Sequence, residues 1–161
     1  MRKLLTAALS TLGVVCALAQ QPNGTKSAQE TSPQEANDRY ARQISERIAG
    51  RENEAAGKVF KNIQLEWFKE IPAARLIAIM NLGYSRALGV SCTHCHVEQD
   101  FSSDEKRPKK AAREMAVMHR SINDQLRKLQ NLELEPEKRL INCSTCHRGA
   151  INPGSVPSPP K

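Results

Sequence analysis

A chain of 161 residues has the size of one domain with a tail. Aromatic residues make up only 4% of it, against 39% apolar and 25% charged, so its own side chains build a core lean in large rings and something else must help fill the middle. The formal charge is +7, and no run beyond the N-terminus reaches the roughly 18 apolar residues of a membrane span; collagen-like, coiled-coil-only and multi-pass membrane classes are excluded.

Residues 1–19 read as an export signal. Arg2 and Lys3 form the positive start, Leu4 to Val15 the apolar stretch, and Ala17-Leu18-Ala19 a small-x-small cleavage site ahead of Gln20. The alternative is a lipoprotein signal acylated at Cys16, but Val15 is not the small residue that processing requires. Periplasmic export with simple cleavage is the expectation, with any membrane association coming through a partner or a lipidated Cys16. Cleavage removes Arg2 and Lys3, leaving 22 basic residues against 17 acidic, a net +5, and four of the five cysteines.

Residues 20–31 are polar and aperiodic, a flexible leader. Ser32-Pro33-Gln34-Glu35 is a capping box with proline at the first helical position, and it predicts a helix carrying Tyr40, Ile44 and Ile48 that stops at Gly50. Val59 to Ile63 is too short to classify. A second helix is expected from Pro72 to just before Gly89, with Leu76, Met80, Tyr84 and Leu88 on one face. A third is expected from about Pro108 to Leu129, its apolar face formed by Ala112, Met115, Met118, Ile122, Leu126 and Leu129. The domain so bounded spans 32–151, and the proline-rich residues 152–161 read as a disordered tail.

Each of the second and third helices is followed, across a loop, by Cys-x-x-Cys-His: Cys92-Thr93-His94-Cys95-His96 and Cys143-Ser144-Thr145-Cys146-His147. This is the attachment signature of c-type haem, in which two thiols one helical turn apart reach two vinyl groups on the porphyrin edge and the next residue offers its imidazole to the iron. A zinc ribbon needs the pairs roughly 15–20 residues apart; here 46 residues separate His96 from Cys143. A thioredoxin-like pair needs a βαβ pattern, which is absent, and two disulfides would leave the histidine after each pair unexplained. The cofactor expectation is two covalent haem c groups with iron, Cys92, Cys95, Cys143 and Cys146 as thioether positions and His96 and His147 as proximal ligands.

For the sixth ligand, Met80 stands sixteen residues before His96 on a helix able to run beside the first haem. Met115 and Met118 lie one turn apart for the second, and spacing does not separate them. His119, off that stripe, reads as a solvated histidine, and His94 sits inside its motif facing away from the iron. Two six-coordinate haems leave no open position for a substrate, which points to electron transfer rather than catalysis. The rivals are a dihaem peroxidase-type enzyme and a haem-stabilised assembly module. Arg148 reads either as a propionate partner or as a surface arginine. Lys106, Arg107, Lys109, Lys110 and Arg113 read as a docking patch for an acidic partner, a propionate contact, or a solvated face. Nothing supports nucleic-acid binding.

Phe60-Lys61-Asn62-Ile63-Gln64, Ile71-Pro72-Ala73, Leu88-Gly89-Val90, Ala112-Arg113-Glu114-Met115 with Ile122-Asn123, and Cys143 through His147-Arg148-Gly149 together resemble the cytochrome c subunit of photosynthetic reaction centres, over roughly residues 58–153. The resemblance implies that each haem sits against the helix preceding its motif. It implies Met80 as the first axial methionine and Met115, in the Ala-Arg-x-Met run, as the second. It also implies a role in re-reducing a photo-oxidised pigment pair with electrons from soluble carriers. Well-known members carry four haems, and this chain has motifs for two, matching the first half of that architecture. The expected fold is therefore mainly α, a small multihaem cytochrome c of repeated helix–loop–Cys-x-x-Cys-His units around two haems. Its expected partners are redox proteins: a soluble cytochrome, and a membrane reaction-centre complex or, alternatively, a respiratory one.

Overall fold

The computed structural model describes residues 32–155. The expected export signal (1–19) and leader (20–31) lie outside the described residues, as do 156–161. Within them the chain is helical, with no β-strand and only two isolated bridges, Ala55 with Pro72 and Val97 with Asp100.

Helix α1, Pro33–Arg47, begins as the sequence predicts: the Ser32 hydroxyl accepts from the Glu35 amide, and the Ser32 amide donates to the Glu35 carboxylate. The segment too short to classify, Val59 to Ile63, starts on the last residue of a single turn, α2 (Ala56–Val59), and is otherwise the non-helical link to another, α3 (Glu66–Lys69); the two turns pack where Gly57 meets Lys69. Backbone bonds from Ala56 to Ile71 and from Ala73 to Glu54 close this excursion.

The expected second helix spans 73–88, but it is not uniform. It starts as α4 (Ala73–Ala78), widens into a π-helical segment (Ile79–Ser85) and ends as α5 (Arg86–Leu88), with Gly89 left-handed at φ 66°. Wide turns of this kind concentrate at functional positions, and Met80 and Tyr84 both lie in this one. The segment is anchored to α1 by Asn81, which donates to Asp38 and accepts from Gln34.

Cys92–Cys95 forms the one-turn helix α6, and α7 runs Arg107–Lys128. A loop follows, gathered by Arg139, whose guanidinium donates to the carbonyls of Leu129, Leu132 and Leu134. The second motif is α8, Cys143–His147, capped by Asn142 and Thr145 in a second reciprocal box. The expected tail opens with an ordered turn, Pro153–Ser155, held on Asn152.

The face of α7 differs from expectation. Its buried residues are Lys109, Ala116 and Asn123, seven apart, while Met115 and Met118 are 41% and 47% exposed and Leu129 is exposed too. The reason is polar. Lys109 and Asn123 are turned inward because each satisfies backbone groups of the loops that hold the two motifs.

The core is correspondingly thin. Among the described residues the buried apolar side chains are Ile48, Leu76 and four alanines (Ala56, Ala73, Ala87 and Ala116), and the largest side chain buried completely is a polar one, Asn37.

Candidate haem site

The larger apolar residues surround a cleft of about 420 Å³, inside the usual range for cofactor sites. Met80 from the π-helical segment and Cys92, Cys95 and His96 from the first motif all line it. Ile44, Phe60, Phe68, Leu76 and Leu88 supply apolar wall.

The first motif is held by α1. The Asn37 amide nitrogen donates to the Val90 carbonyl (2.9 Å), and its oxygen accepts from the Cys92 amide (2.7 Å). His96 is fixed by its own loop: Nδ1 bonds the Phe101 carbonyl at 2.8 Å, and the Phe101 ring stacks on the imidazole at 4.9 Å and 17°. An imidazole whose Nδ1 proton sits on a carbonyl keeps its Nε2 lone pair available for a metal. Burial pushes the His96 pKa down, opposed by the Phe101 bond and assisted by the nearby cations Lys109, Arg113 and Lys106, so the neutral, ligating form is favoured. Burial also raises the thiols of Cys92 and Cys95.

The second motif repeats this plan with different parts. Asn123, on α7, donates to the Ile141 carbonyl (3.1 Å) and accepts from the Ile141 amide (2.8 Å), two residues before Cys143. His147 Nδ1 bonds the Ala150 carbonyl at 3.0 Å. Cys143 is half-buried, with its thiol raised by burial, and Cys146 is exposed. The structure brings Met80 into a common cleft with Cys92, Cys95 and His96, while Met115 stands 41% exposed on α7.

The motifs are locked to each other by glycine. Gly149 (φ 87°) donates its amide to the Ala87 carbonyl, and a Cβ on Gly89 would stand 2.1 Å from the Gly149 oxygen. Tyr84, at the cleft, lies within electrostatic reach of Cys95 and Cys143, one cysteine from each motif, and burial pushes its hydroxyl up to about 12.

The structure corrects the reading of one residue and of one cluster. His119 is half-buried rather than solvated: its Nε2 is within 2.8 Å of the Ile141 carbonyl and 2.9 Å of the Asn123 amide nitrogen, which orders the second motif's approach. The basic cluster is largely spent inside the molecule. Lys106 donates to the Thr93 carbonyl, Lys109 to three loop carbonyls and Arg113 to Asp104. Asp104, which also accepts from Asn62 and Gln64, is held far below the usual carboxylate range, chiefly by the Arg113 hydrogen bond.

The donor set fits haem c. All four cysteines of the described residues are free thiols, each pair sits one helical turn apart, and each following histidine is held through Nδ1. Among the described residues no group of three His, Cys, Asp or Glu side chains converges as a zinc site requires.

Asn37 and Phe101 were not singled out in the sequence; Asn123 entered only through the family resemblance and Lys109 only as one of a basic run. The available signal was positional. Asn37 falls on the stripe of Ile44 and Ile48, where a polar residue demands a buried partner.

Comparison with known proteins agrees with this geometry. The family model for the photosynthetic reaction centre cytochrome C subunit matches residues 15–158. The chain is 36% identical over 80 residues to cytochrome c-554 of Chloroflexus aurantiacus, a match covering 50% of this chain and 19% of that protein. It is 38% identical over 81 residues to the photosynthetic reaction center cytochrome c subunit of Rubrivivax gelatinosus, covering 44% of this chain and 22% of that one. The match thus spans about a fifth of the length of either relative. No solved structure matches. The chain belongs to the photosynthetic reaction centre cytochrome c subunit family, a family of cytochromes and not of enzymes.

Proposed function

We propose that this protein is an exported dihaem c-type cytochrome that passes electrons between a soluble carrier and a membrane-bound redox complex of the reaction-centre kind. The observation that carries the reading is the convergence of Met80, Cys92, Cys95 and His96 on one apolar cleft, with the His96 Nδ1 proton held on a backbone carbonyl.

Haem c supplies a one-electron iron couple when bound. The chain's contribution is attachment, ligation and exclusion of water. Cys92 and Cys95 would hold the first group, and Cys143 and Cys146 the second. His96 and Met80 would ligate the first iron, and His147 and Met115 the second. The apolar wall from Ile44, Phe60 and Leu76 lowers the local dielectric, and a methionine ligand would favour the reduced state. A histidine and a methionine for each iron would leave no coordination position for substrate, and the protein acts as a carrier.

A redox titration of the holoprotein tests this. Two one-electron couples, a methionine-to-iron charge-transfer band and no carbon monoxide binding are expected. Carbon monoxide binding at either reduced haem in the native protein would assign that haem to catalysis instead. Met80→Ala is expected to open one haem to carbon monoxide and leave the other closed.

A further inference from the structure

We propose that Lys109 is a positioning residue that raises the redox potential of the first haem through a carbonyl it shares with the proximal histidine. The inference rests on the dihaem reading above.

Lys109 is a lysine only 8% exposed. Its ammonium donates to the carbonyls of Phe101 (2.9 Å), Ser102 (2.9 Å) and Ser103 (2.7 Å), and stands 3.4 Å from Asp104. The first of these oxygens is the one that bonds His96 Nδ1 at 2.8 Å. One carbonyl therefore faces an imidazole and an ammonium at once.

That sharing has a sign. A strong acceptor on Nδ1–H makes the opposite nitrogen a better donor and stabilises ferric iron. An ammonium drawing on the same oxygen weakens it as an acceptor, so His96 donates less to the iron. The charges act in the same direction. Lys106, Lys109 and Arg113 outnumber the two carboxylates beside them, Asp100 and Asp104, and net positive charge beside a haem favours the reduced form. At the second site His147 bonds the Ala150 carbonyl, and among the described residues no lysine donates to that oxygen. The device belongs to one haem of the two, so its removal moves one couple alone.

The test is a redox titration of holoprotein variants with haem content fixed by intact mass. In Lys109→Met, one couple is expected to fall so that its oxidised-to-reduced ratio at fixed potential rises about tenfold, about 59 mV for one electron, while the other holds. Lys109→Arg keeps the charge and is expected to restore most of that shift. Asp104→Asn removes an opposing charge and is expected to move the same couple upward. A loop brace with no electrostatic role would move the couple the same way in Lys109→Met and Asp104→Asn, or in neither, and either result overturns the proposal. Should Lys109→Met fail to retain haem, Asp104→Asn decides by its sign: upward supports the proposal, unchanged or downward overturns it. A wild-type mass with fewer than two haems would instead sink the dihaem reading itself, independently of any shift.

Discussion

Asn37 and Asn123 perform one task in two halves of the chain: each spends both ends of its amide on the backbone at the entry to a Cys-x-x-Cys-His motif. They are 1% and 6% exposed, so water cannot replace them. Asn37→Leu or Asn123→Leu should strand a donor and an acceptor, at about 1–3 kcal/mol for each group left unpaired. The expected result in chemical denaturation of the holoprotein is an earlier midpoint with little change in slope. A variant as stable as the parent would show that the clamp is dispensable. Gly89 is more demanding, because it is left-handed and a Cβ there collides with a backbone oxygen that cannot rotate away. Gly89→Ala should therefore cost ~3 kcal/mol or more, at the large end of single-substitution effects. It should also disturb both haem spectra, since Gly89 leads into the first motif and Gly149 closes the second. Spectral change at one haem alone would mean that the crossing does not couple them.

Among the elements, those announced by their ends were legible. Ser32 with Glu35 marks the start of α1, and Gly89 the end of the second helix, because caps and left-handed stops are local chemistry that a short stretch of sequence carries entirely. The inside of that helix was not legible. Nothing in Ile79 to Ser85 distinguishes a π-helical turn from an α-helical one, since the choice is made by packing on α1 through Asn81. The inward polar residues of α7 were not legible for a related reason. Periodicity counts apolar residues, but here a lysine and an asparagine lie inside because loop carbonyls far along the chain need donors. The loop between α6 and α7 gives a prediction in pH. Asp104 titrates far lower folded than unfolded, so its stabilising contribution is complete above the ordinary carboxylate value of about 3.9 and is lost as pH falls below it. Melting temperature should drop on acidification, and Asp104→Asn should start lower at neutral pH and fall less. An identical acid profile in the two proteins would mean that the Asp104 network carries no stability.

For the molecule as a whole, composition told more than pattern did. A chain with 4% aromatics builds a described core of Ile48, Leu76 and four alanines, and its larger apolar side chains line a cleft instead of packing on one another. The two motifs named the cofactor because covalent haem attachment has one spacing, and the first site's four residues do meet in space. At the second site the cysteines and histidine stand on the capped turn α8, and the choice between Met115 and Met118, both exposed on α7, rests on the family resemblance. Haem number is therefore the claim on which the rest depends. The most direct measurement is the intact mass of the protein made with its own N-terminal signal in a host that matures c-type haem. The expected mass is that of residues 20–161 plus two haems. A mass carrying one haem would leave the second motif without its assigned role. A haem-free mass, short by the hydrogens of two disulfides, would contradict the account outright.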